Sequence, residues 1–186
     1  MQEKTTRERL VEVTANLIRA KGYYGTGITE ILRATGVPKG SLYHHFPSGK
    51  DGLVVESIHF SSKEMLREYE MAMRGTRDPV NGLGAIVDVL AQRLERSGFR
   101  DACPLATVAL EMNDEKPAIR AACKSMYQMW QDALLGYFAL KQVGDARRKA
   151  RVFLTLLEGG FVLAKAHQDA DFLLKVKEDV ADLLKD

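Results

Sequence analysis

ILRATGVPKGSLYHHFPSGKDGL, residues 31–53, holds two short helical stretches separated by Gly36-Val37-Pro38. Gly36 can take a positive φ, and Pro38 cannot continue the preceding helix but suits the start of the next. The spacing predicts one helix over Ile28–Thr35 and a second over Lys39–His45, stopped at Pro47-Ser48-Gly49. In the second, Leu42 and Phe46 are four apart and share a face, which anchors the helix to a small core. Lys39, Gly40, Ser41, Tyr43 and His44 project elsewhere. They offer a cation, a small residue, a hydroxyl, a phenol and an imidazole, which suit phosphates and base edges. His45 and Lys50 are placed for backbone phosphates, Lys50 at a helix start where free N–H groups favour anions. Two short helices joined by a tight glycine turn, with a first helix across them, make a helix-turn-helix, whose second short helix enters the major groove.

Working outward, Leu10, Val13 and Leu17 give a first helix from about Thr5 to Lys21, stopped at Gly22. Thr26 or Gly27 caps the next, with Glu30 placed to reach back to the exposed N–H groups. A long fourth helix runs from about Lys50 to Met73, and Gly75–Gly84 is read as a connection. Leu83, Ile86, Val87, Leu90 and Leu94 then repeat with helical period. Residues 97–103 are a loop, and Pro104 opens a further helix. Three more are expected over about 117–140, 146–166 and 171–184. No segment alternates as a strand does. The expected fold is all-α with about nine helices: a three-helix domain over residues 1–50 and a helical domain over residues 51–186.

The 186 residues are 46% hydrophobic and 28% charged, a soluble globular balance, with no apolar run of membrane-span length and no apolar stretch of signal-peptide length in MQEKTTRERL. Two cysteines and four histidines make no disulfide framework and no metal-ligand spacing, so neither metal nor cofactor is expected, and a reducing cytoplasm is. Residues 1–50 carry eight Lys/Arg against four acids, while the remainder is slightly acidic, the asymmetry of a chain with one end turned toward a polyanion.

The stretch from residue 5 to about 58, and most specifically ILRATGVPKGSLYHHFPSGKDGL, resembles the DNA-binding domain of the TetR family of regulators. The resemblance implies a homodimer on a palindromic operator, usually a repressor released by a small ligand. By position it implies that Lys39, Gly40, Ser41, Tyr43 and His44 face DNA and that Thr26, His45 and Lys50 meet phosphates. Gly27 departs from the family's usual capping hydroxyl. CPLATVALE at 103–111, LEGGFVLAKA at 157–166 and the PSGK turn at 47–50 resemble the LmrA/YxaF-like branch, which implies a drug, flavonoid or other aromatic compound as effector.

In the C-terminal body, methionines and aromatics can line an adaptable apolar pocket or simply fill a core. Phe99, Cys103, Met112, Met126, Tyr127, Trp130 and Phe161 are the candidate ligand contacts, Tyr127 and Trp130 foremost because each pairs a polar atom with a large apolar surface. Cys103, just before Pro104 at a helix start, is also a candidate oxidant or electrophile sensor. Phe153, Leu156, Leu157, Gly160 and Leu163, with Leu173, Val176 and Val180, are the expected dimer interface, a four-helix bundle with the two-fold mates. Glu111 and Glu158 stand as single helical acids that need no catalytic explanation, and no GxSxG, HExxH or phosphate loop supports an enzyme. A helical protein–protein adaptor is the other alternative. It would lack the steep salt dependence of phosphate binding.

Overall fold

α1 (Thr6–Lys21) begins where Thr5 and Glu8 close a reciprocal cap: the Glu8 N–H donates to Thr5 Oγ1 and the Thr5 N–H to the Glu8 carboxylate. The computed structural model describes residues 4–101 and 103–185; Ala102, within the expected 97–103 loop, lies outside them. α2 (Ile28–Thr35), α3 (Lys39–His45) and α4 (Lys50–Met73) fall where the spacing placed them. α5 (Pro79–Arg96), α6 (Pro104–Glu111), α7 (Pro117–Leu140), α8 (Ala146–His167), α9 (Asp171–Leu174) and α10 (Val176–Leu183) follow, and there is no strand among the described residues. α9 and α10 take the place of the single last helix expected, divided at Lys175.

The segment read as a connection over 75–84 is half helix. Asp78 caps α5 by accepting the Val80 N–H at 3.1 Å, and Pro79 occupies its first position. Gly82 and Gly84 therefore lie inside the helix, where they serve packing: a Cβ on Gly82 would run into the Tyr137 hydroxyl, and one on Gly84 would come within 3.4 Å of Lys177.

Two units divide the chain. The first takes in Met1–Glu64 and Pro104–Met126, the second Met65–Cys103 and Tyr127–Asp186, so α4 and α7 each contribute residues to both. In the first, Leu10, Val11, Ile31, Val37, Leu42, Phe46 and Leu53 form one core, and α6 packs on α1. In the second, α5, α8, α9 and α10 pack together, with Leu83, Leu94, Phe153, Leu173 and Val180 buried between them.

Candidate nucleic-acid interface and effector cavity

The turn between α2 and α3 is held from within. Gly36 takes the left-handed conformation at φ 67° and returns its N–H to Leu32. Thr35 Oγ1 donates to the Ile31 carbonyl at 2.8 Å and accepts the Val37 N–H at 3.3 Å, so a single hydroxyl ties α2 to the turn. α3 then presents two faces. Leu42 (0% exposed) and Phe46 (3%) enter the core, and the Arg7 guanidinium lies over the Phe46 ring. Lys39, Gly40, Tyr43 and His44 are exposed on the other side, with Ser41 and His45 half-buried beside them. Gly49, at φ 61°, leaves room for the Tyr43 ring: a Cβ there would stand 3.2 Å from Tyr43 Cε1.

Two side chains expected at the helix starts turn inward instead, and a third pairs with a neighbouring helix. Thr26 is fully buried and donates to the Gly22 carbonyl at 2.8 Å, closing the α1–α2 turn rather than facing outward. Lys50 is half-buried. Its Nζ donates to the Tyr23 carbonyl at 2.6 Å and lies 3.9 Å from the centre of the Tyr23 ring, and burial lowers its pKa. Glu30 does not reach back to its own helix start but pairs with Lys21 at 2.5 Å.

Tyr23 is the centre of this corner. Its hydroxyl donates to Asp51 at 2.5 Å, and Lys116 donates to the same carboxylate at 2.9 Å. Burial pushes the Asp51 carboxyl up, but the Tyr23 and Lys116 hydrogen bonds outweigh it and hold it below its ordinary value. The Glu111 carboxylate accepts the backbone N–H of Tyr23 at 2.5 Å and of Tyr24 at 3.3 Å. Gly22, at φ 72°, must be glycine for both reasons at once, since a Cβ there would collide with the Glu111 carboxylate. The acid at the end of α6 thus caps the α1–α2 turn, a role its sequence position did not suggest. Glu111→Ala strands a part-buried donor at a cost of about 1–3 kcal/mol. The Tyr23 and Tyr24 amides should lose hydrogen-exchange protection, with partial recovery in Glu111→Gln; unchanged protection would show that the cap contributes nothing.

The second unit contains a cavity of about 390 Å³. Tyr69, Trp130, Tyr137 and Phe153 supply aromatic walls, Leu134, Leu154 and Leu157 aliphatic ones, and Glu70 and Arg74 are its charged residues. Of the candidate ligand contacts, Trp130 lines it. Cys103 and Phe161 line a much smaller void that shares Tyr69, Trp130 and Leu157 with the cavity. Tyr127 packs edge-on against Trp130 at 5.8 Å between centroids. Phe99 is not among the cavity's lining residues, and Met112 and Met126 belong to the first unit. Tyr137, one of the aromatics of the C-terminal body, also lines the cavity, whereas Tyr69 and Phe153 fall outside the expected ligand contacts, although Leu66, Tyr69 and Met73 recur along α4 with the period of one helix face. Cys103 is buried, and its thiol donates to Glu158 Oε1 at 3.0 Å instead of standing open at the helix start.

The expected dimer residues on α8 divide between two of its faces, and those on α9 and α10 turn inward. Phe153 and Leu157 line the cavity, and Gly160, Leu173, Val176 and Val180 are buried within the second unit. A Cβ on Gly160 would meet Val176 Cγ2 at 2.8 Å and Leu173 Cδ1 at 3.3 Å, so this glycine admits the chain's own α9 and α10. Outside lies a different apolar stripe: Val152, Leu156, Val162 and Leu163 with Thr155, Gly159 and Ala166. Val162 is 52% exposed and Leu163 49%. Leu156 and Leu163 alone of the expected set fall on it.

Residues 10–56 match the family model described as bacterial regulatory proteins, tetR family, and residues 79–179 match that of transcriptional regulator LmrA/YxaF-like, C-terminal domain. The chain is 29% identical over 184 residues to the HTH-type transcriptional regulator LmrA of Bacillus subtilis, covering 97% of each chain. To an uncharacterised HTH-type transcriptional regulator of Mycobacterium tuberculosis it is 30% identical over 185 residues, covering 96% of this chain and 93% of the other. The crystal structure of a regulatory protein TetR from Rhodobacter sphaeroides superposes with a TM-score of 0.85 at 25% identity, covering 97% of this chain and 99% of that one.

Proposed function

Because this chain belongs to the TetR family of bacterial regulatory proteins, with a C-terminal domain of the LmrA/YxaF-like kind, we propose that it is a repressor released from its operator by a small apolar or aromatic effector. DNA-binding transcriptional regulation, rather than enzymatic catalysis, is the activity of the family. Beyond that, the proposal has a homodimer hold a palindromic operator in the cytoplasm, with residues 1–50 on DNA and residues 51–186 dimerising and binding the effector. The observation that carries it is the division of α3: Leu42 and Phe46 closed into the core, and Lys39, Gly40, Tyr43 and His44 open to solvent with Ser41 and His45 at the margin. Thr26 and Lys50, turned inward, act as braces of the α1–α2 corner in this reading. A cavity of about 390 Å³ with aromatic walls is of the size and character that small-molecule effectors occupy.

An effector releases DNA only by binding more tightly to a form of the dimer whose α3 helices no longer match successive major grooves. α4 is the lever in this proposal. It carries Lys50 and Asp51 at the Tyr23 corner, and Leu66, Tyr69, Glu70 and Met73 in the cavity lining.

Selection of bound fragments from sheared genomic DNA should enrich a short palindrome. On that duplex Tyr43→Ala should lose roughly tenfold in affinity, about 1.4 kcal/mol. Lys39→Ala should weaken binding across sequences and reduce the salt slope by about one. Wild-type affinity in a dimeric Tyr43→Ala protein would remove α3 as the reading helix.

A further inference from the structure

Glu158 is a half-buried acid with one carboxylate oxygen fully enclosed and no cation lining the void beside it. Cys103 donates to its Oε1 at 3.0 Å and the Tyr127 hydroxyl adds a further hydrogen bond, but Oε2 is buried without a partner. The side chains around the void at this carboxylate include Met65, Tyr69, Leu90, Trp130 and Phe161, and no cation is among them. Arg93, which also acts on Tyr69, is held by Glu68 through bonds of 2.7 and 2.8 Å. Its Nη1 is likewise buried without a partner, but its charge is already matched. Burial pushes the Glu158 carboxyl above its ordinary pKa, the response of an acid that lacks a counter-ion.

The void adjoins the large cavity across Tyr69, Trp130 and Leu157, which line both. Glu70 and Arg74 in the cavity lining are of opposite sign and offset one another, which leaves Glu158 as the unbalanced charge at that end. Tyr69 and Trp130 offer ring surface to a cation held beside it. We propose that this cavity selects effectors carrying one positive charge on an apolar body, an aromatic amine being the simplest, with Glu158 as the charge-selecting group. The proposal rests on the cavity being the effector site, as argued above.

The chain's one tryptophan, Trp130, lies in the lining, so its emission reports occupancy directly. Phenylbutylamine, phenylbutanol and phenylbutyrate share one apolar body and differ in charge. Titrated into the intact protein, the amine should bind at least tenfold more tightly than the alcohol, and the acid more weakly than either. Glu158→Gln should abolish the difference between amine and alcohol while leaving alcohol binding in place, which also verifies that the variant is folded. Equal binding of amine and alcohol, or a preference that survives Glu158→Gln, overturns charge selection and leaves the cavity reading standing. Failure of all three probes to move Trp130 emission up to their solubility limits overturns both. The amine-to-alcohol ratio in the unaltered protein is decisive even where Glu158→Gln fails to fold.

Discussion

Leu42→Ala is expected to destabilise the first unit by about 2–5 kcal/mol, the cost of emptying a fully buried leucine site that collapses only in part. Leu42 is 0% exposed in a core shared with Ile31, Val37, Phe46 and Leu53, and this core holds a seven-residue helix too short to persist by its own hydrogen bonds. A whole domain is stable by only about 5–15 kcal/mol, so the loss is a large share of what keeps α3 in place. Amide exchange should rise across α2 and α3 and remain unchanged in α8, and operator binding should fall with it. The neighbouring Tyr43→Ala, on an exposed face, should alter stability by less than about 0.5 kcal/mol while weakening DNA binding. A Leu42→Ala protein with wild-type exchange rates in α3 would show that something other than this core positions the helix.

That contrast between adjacent residues was legible in the sequence because both of its terms are local. Gly36 and Pro38 mark the turn, and the Leu42–Phe46 spacing sets the buried face, so the exposed set follows from geometry within a single helix. Thr26 and Lys50 show where this logic stops. The family resemblance places the Thr26 hydroxyl, and a helix start the Lys50 amine, at phosphates, but neither can reveal the Gly22 carbonyl four residues upstream or the Tyr23 carbonyl 27 positions away that draws them in. Glu111 and Glu158 were opaque for the same reason at longer range. Their partners lie 88 and 55 residues distant, and no periodicity records such a pairing.

The glycines of α5 and the faces of α8 are a different case, in which the signal was present but ambiguous. Gly82 and Gly84 are helix-breaking by propensity, yet both lie inside α5; at Gly82 the Tyr137 hydroxyl takes the space of a Cβ, and there packing overrode propensity. α8 has apolar residues around most of its circumference, from Val152 and Phe153 through Leu156 and Leu157 to Val162 and Leu163. Such a pattern announces burial on two sides without saying which side meets the chain's own core. The close approach of Gly160 to Val176 decides it, and the stripe opposite stays exposed in the single chain.

If that stripe is the dimer interface, Leu163→Glu should separate the protomers. A two-fold axis makes the contact isologous, so one substitution introduces a charge into each copy of the same patch and buries both against apolar neighbours. Leu163 is 49% exposed in the single chain, so the monomer should keep its helicity and its melting temperature, since the new carboxylate remains solvated there. The operator should respond far more than the fold. A dimer engages two half-sites about 34 Å apart, and the second contact is intramolecular once the first has formed; losing it costs roughly 10²–10⁴ in affinity. Sedimentation should report a single protomer, and anisotropy on the full palindrome should fall to the affinity of an isolated half-site. Leu163→Met, which keeps volume and apolar character, should behave as wild type. A Leu163→Glu protein that still sediments as a dimer would place the interface on another surface, and one that dissociates yet binds the palindrome at full strength would mean that the two half-sites are never held by one dimer.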